Sequence, residues 1–146
     1  MLLPLRTIDT ESFSPYGWII QRPPSPEVAI EGKVEFSIIC REEESKGWRL
    51  AYLAVSQRST DTLEHHPHSL ESFEPISGIA ILLLAEHDSP EAIEAFVLDK
   101  PVVLKKGIWH EVIALSAEAE MKIAENNQVT SVKRKLPGEL KPFLGF

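Results

Sequence analysis

Between Glu64 and Gly78 the chain reads EHHPHSLESFEPISG, with three of its five histidines inside four positions and a glutamate three residues after the last. Imidazole nitrogens and carboxylate oxygens move protons near neutral pH and also ligate divalent metals. In a β-strand, residues two apart share a face, so His66 and His68 would aim together as a bidentate chelate, with His65 pointing away. A turn or bulge between Ser69 and Ser72 would then bring Glu71 in as a third ligand. The other informative histidine is His110, in KKGIWHEV, where Gly107 permits a tight turn and a strand starts at the histidine. If that strand pairs with the one carrying His66 and His68, four groups converge, a set that suits zinc, manganese, iron or nickel. The same cluster could equally be an exposed turn that binds metal without function. His87, at an expected hairpin tip, reads as exposed and inert, and Trp109 as a core or pocket-wall residue.

The elements that must position these groups are short. The segments VEFSIIC, WRLAYLAVSQ, FEPI, GIAILLLA, AIEAFVLD, PVVL, HEVIALS and AEMKIAEN are rich in Val, Ile, Phe and Trp, with turn residues about every ten positions. That spacing argues for an antiparallel barrel or sandwich. The run ILLLA is apolar on both parities, so one face would fill the barrel and the other meet a second layer or a partner subunit. Near the N-terminus, Thr10 would cap a short helical turn ended by Pro15 and Gly17, and GWIIQ would follow as a strand. RPPSPE, with three prolines, must be an irregular loop. SPEAIEAF reads as a turn followed by a strand, since Ile93, Ala95 and Val97 alternate.

Composition narrows the function classes. The 146 residues form about one domain, spanning 1–146. A formal charge of −7 disfavours nucleic acid, and the basic run Lys133 to Lys135 reads as a solvated tail. The longest apolar run, Ile79 to Ala85, is too short to cross a bilayer, and the N-terminus does not read as a secretory signal, so a cytoplasmic protein is expected. Cys40 is the single cysteine, which leaves His, Asp and Glu to hold any metal.

HPHSLESFEPISG and KKGIWH together resemble the two cupin motifs, G-x5-H-x-H-x3-4-E-x6-G and G-x5-P-x-G-x2-H-x3-N. His66, His68, Glu71 and Gly78 match the first, and Gly107 and His110 match the second. Only two residues separate His68 from Glu71, and Lys105 and Ala114 stand in place of the proline and asparagine. Read as a whole, ESFSPYGWII, HHP with SFEPISG, AFVLDKP and GIWHEVIAL are similar to the ureidoglycolate lyase family of small cupins, over about three-quarters of the domain. The family usually has arginine where His65 stands and glutamine where Glu71 stands, and AENNQVTSV replaces an aspartate-rich segment.

The resemblance implies an all-β cupin (double-stranded β-helix, or jelly-roll) barrel with a short N-terminal helical turn, acting as a carbon–nitrogen lyase of purine catabolism. Its substrate would be ureidoglycolate or a similar small hydroxy-acid amide, released as glyoxylate and urea. A divalent metal (Zn, Mn, Ni or Fe) would sit on His66, His68, Glu71 and His110, with Glu71, His66 and His110 in catalysis. Lys105, Arg49, Lys122 and Trp109 are candidates to contact the small anionic substrate. Tyr16 and Trp18 would cover the pocket mouth or anchor the N-terminus. A homodimer is expected through strands apolar on both faces. Two other functions fit a cupin with these departures: a non-catalytic small-ligand binder, and a metal-dependent isomerase or dioxygenase.

Overall fold

The computed structural model of the protein describes residues 1–25, 27–30 and 34–143. Its elements run β1 (Leu2–Arg6), α1 (Thr10–Phe13), β2 (Gly17–Ile19), β3 (Val28–Ile30), β4 (Val34–Phe36), β5 (Arg49–Val55), β6 (Thr60–His65) and β7 (Glu71–Ser77). They continue with β8 (Ala80–Ala85), β9 (Glu94–Val97), β10 (Val102–Leu104), β11 (Trp109–Ala114), β12 (Ala119–Glu125) and β13 (Val132–Phe143). The all-β architecture with one short helical turn is therefore as expected. The helix is capped by Asp9, one residue before the expected Thr10, whose carboxylate accepts from the Ser12 amide at 2.8 Å. Pro26 of the proline-rich loop lies outside the described residues.

Six strands close into a barrel in the order β1-β13-β6-β11-β8-β9, and a five-stranded sheet, β2-β10-β7-β12-β5, faces part of its wall. Each barrel strand contributes to one apolar cluster, with Leu3, Leu63, Ile81, Ala95, Ile113 and Leu140 among its members. The opposite face of β8, β9 and β11 joins Phe73, Met121 and Val102 of the sheet in a second cluster. All six side chains of β8 are buried for this reason. Its two apolar faces are both covered by the chain itself, so they supply no argument for a partner subunit.

Three strands, β1, β3 and β13, escaped the sequence reading. LLPLR is β1, which runs parallel to both β13 and β9. The Lys133 to Lys135 run is not a solvated tail. It lies in β13, antiparallel to β6, where Arg134 pairs with Glu91 at 3.3 Å and Lys135 with Asp61 at 3.4 Å. Leu136 and Leu140 of that strand fill the barrel, and burying such a side chain stabilises by about 2 kcal/mol. Tyr16 anchors the N-terminal segment: it is buried, and its hydroxyl donates to Glu94 at 2.9 Å, while Arg6 pairs with the same carboxylate at 2.6 Å.

Candidate metal and substrate site

At one end of the space between barrel and sheet, three buried side chains meet. His110 follows the Lys105–Gly107 turn, in which Gly107 adopts φ +79°, a conformation that favours glycine. The Gly107 amide donates to the His66 carbonyl at 2.9 Å, which ties the two histidine segments together. Alternation along β11 sends His110 toward the sheet with Val112, while Trp109 goes into the barrel with Ile113. Glu71 opens β7 and points to the same place as His110.

Glu71 Oε1 lies 3.0 Å from His110 Nε2 and 3.4 Å from His66 Nε2, yet it is buried and accepts no aligned hydrogen bond from either ring. The far ring nitrogens are fixed by the backbone. His110 Nδ1 donates to the Ile108 carbonyl at 2.9 Å and His66 Nδ1 to the Thr130 carbonyl at 3.2 Å. A carbonyl can only accept, so each Nδ1 keeps a proton, and once Nε2 gives up its own the neutral ring presents that lone pair to the common space. That orientation is what a metal-ligating histidine requires. The separations fit as well: donors about 2.1 Å from a six-coordinate ion stand about 3.0 Å apart when adjacent and about 4.2 Å when opposite. The residues present thus suit a divalent ion.

Burial works against charge on all three groups, but their mutual attraction outweighs it. Glu71 is held well below the usual carboxylate range by the two imidazoles, and both rings are raised by the carboxylate. Beyond Glu71, three strands place Glu71, Glu125 and Arg49 in a row across β7, β12 and β5. Burial and the adjacent Glu71 push Glu125 up, against the pull of Arg49. Arg49 Nη2 lies 2.7 Å from Glu125 Oε2, and its side chain remains 47% exposed.

The expected H-x-H chelate does not form. β6 ends at His65, and Pro67 and His68 make a turn, so His68 is exposed while its carbonyl accepts from Asn126 Nδ2 at 3.1 Å. His66 reaches the site from just beyond the strand end. His65 is buried on the barrel side, 4.4 Å from the Trp109 ring and 4.9 Å from that of His87. His87 is exposed, as expected, with Nδ1 3.1 Å from the Gly107 carbonyl. Of the proposed substrate contacts, the structure brings Arg49 alone alongside this cluster. Lys105 donates to the Ser14 carbonyl and lies over Trp18, Lys122 pairs with Glu74 on the outer face of the sheet, and Trp109 faces away from His110. The sequence reading missed Glu64, Glu125 and the loop bearing Thr130. The alternation of Glu64 with Leu63 and His65 was the available signal for the first.

Residues 1–134 match the ureidoglycolate lyase family. The ureidoglycolate lyase of Agrobacterium fabrum strain C58 is 25% identical over 138 residues, which cover 84% of this chain and 83% of that protein. Among solved structures, the S161A mutant of Bacillus subtilis oxalate decarboxylase aligns at 18% identity with a TM-score of 0.46, over 62% of this chain and 24% of the decarboxylase. This chain thus spans about a quarter of that protein's length. A dTDP sugar isomerase from Desulfovibrio desulfuricans G20 aligns at 12% identity with a TM-score of 0.44, over 75% of this chain and 78% of the isomerase. With the family match running from the first strand into the last, the chain belongs to the ureidoglycolate lyase family.

Proposed function

We propose that the protein is a cytoplasmic, metal-assisted lyase of purine catabolism that splits ureidoglycolate into glyoxylate and urea. The observation that carries this is the convergence of His66, Glu71 and His110, with the half-exposed cation Arg49 alongside. His66, Glu71 and His110 would hold a divalent metal, which when bound would polarise substrate oxygens and fix the reacting carbon. The substrate is a carbinolamide with a carboxylate. Arg49, half in solvent and rigidly aimed by Glu125, takes the carboxylate in a two-pronged contact. Through Oε2, the oxygen not turned toward the two imidazoles, Glu71 would accept the hydroxyl proton, the carbon–oxygen double bond would form as the carbon–nitrogen bond breaks, and the same proton would pass to the departing urea nitrogen. One carboxylate therefore closes the proton balance. The chain pairs as a homodimer through the outer face of the five-stranded sheet, where Leu50, Tyr52 and Ile76 are exposed.

Following glyoxylate release from ureidoglycolate, with metal-loaded protein and with none, tests the reaction. Turnover that disappears in Glu71→Gln is the expected result. No rate above background with any of Zn, Mn, Ni or Fe would remove the lyase reading and leave a ligand-binding barrel.

A further inference from the structure

We propose that Glu64 is a metal ligand, standing where the sequence pattern placed a third histidine, so that the site is a set of two histidines and two carboxylates. The inference rests on the metal reading above and changes its composition. Glu64 is the cross-strand partner of His110, the one pairing between β6 and β11. On β6 its neighbours Leu63 and His65 turn into the barrel, which leaves Glu64 on the face that His110 shares. One ligand atom each from Glu64, His66 and His110 lie within 4.8 Å of one another, and Glu64 Oε1 is 4.0 Å from His110 Nε2. Among the described residues no other charged group lies within ion-pair distance of Glu64.

Glu125 is the rival carboxylate, grouped with His66 and Glu71 at the same spacing. Its Oε2, however, already accepts from Arg49 Nε at 2.9 Å and Nη2 at 2.7 Å, so its charge is committed. Reading the pair as Glu64-x-His66 also leaves four residues before Glu71, where His66-x-His68 leaves only two. Two carboxylates neutralise a divalent ion that three imidazoles and one carboxylate would leave positive. Attraction for an anionic substrate then falls to Arg49. Mixed nitrogen and oxygen donors suit first-row divalent ions better than magnesium or calcium.

The test titrates metal-stripped full-length protein with Mn(II), then separately Zn(II), by calorimetry, comparing wild type with Glu64→Gln, Glu64→His, His66→Ala and His68→Ala. Thermal melts in chelator confirm that each variant is folded. Glu64→Gln should bind at least tenfold more weakly, Glu64→His should recover much of that loss, and His68→Ala should match wild type. Equal binding by Glu64→Gln overturns the inference. So does a loss confined to His68→Ala, which would give the position to that histidine, or a loss in Glu64→Gln that histidine does not rescue, which would mark a remote charge effect. If wild type takes up neither ion and so equals His66→Ala, the metal reading itself falls, and the inference with it.

Discussion

At the scale of single residues, His110 gathers the most constraint: its ring is buried, its Nδ1 is held by Ile108 and its Nε2 faces Glu71. His110→Ala should therefore lower metal affinity more than about a hundredfold, above the 10- to 100-fold typical of lost supporting contacts. Calorimetry with Zn(II) checks it. Protons compete for the same nitrogens. Because Glu71 raises both His66 and His110 above the ordinary 6.5, protonation begins at higher pH than in a free histidine. Metal affinity should then fall steadily as pH drops from about 8 to about 6, with protons released on binding. Affinity independent of pH over that range would mean that these rings are not ligands. Arg49 belongs to a different step. If it takes the substrate carboxylate in ground and transition states alike, Arg49→Ala should raise KM about tenfold with kcat little changed. Arg49→Lys should recover only part, since a point charge lacks the guanidinium fork. A loss confined to kcat would place Arg49 in the chemistry instead.

At the scale of elements, β8 separates two cores, and the consequence can be measured from both sides. Leu82 packs against the sheet and Leu83 inside the barrel, both fully buried. Leucine to alanine at either position should cost about 2 to 5 kcal/mol in chemical denaturation. If only one does, its opposite face is not a packed core. The double-sided character of this strand was legible in ILLLA, as was the turn and strand at SPEAIEAF. What covered the second face was not. β1 and β13 lie at opposite ends of the chain, and Pro4, Pro137 and three consecutive basic residues disguise both as non-strand sequence. Tertiary closure overrode local signals there. The site was legible in part for a related reason. Pattern located His66, Glu71 and His110, but Pro67 ends β6 and turns His68 outward, so a parity argument carried past the strand end failed at that residue. Glu64 sits inside the strand, where parity holds.

At the scale of the whole molecule, part of the apolar surface left after both cores are filled forms a strip on the outer face of the sheet. Leu50, Tyr52 and Ile76 are 57%, 62% and 59% exposed, and they flank a groove that also holds the Lys122–Glu74 ion pair. A two-fold interface sets the same patch against itself, so an apolar strip carrying both charge signs can be self-complementary if the strips run in opposite directions. Tyr52→Glu adds a negative charge to each side of such a contact beside Glu120, whose carboxylate already accepts from the tyrosine hydroxyl. Like charges facing each other across the axis should convert the dimer to monomer in sedimentation at micromolar concentration. Metal binding should be unaltered, because Tyr52 points away from His66 and His110. The expected wild-type mass is twice that of the 16.4 kDa chain. A monomeric wild type removes the dimer. A dimer that survives Tyr52→Glu moves the interface to another face and leaves the strip without this partner.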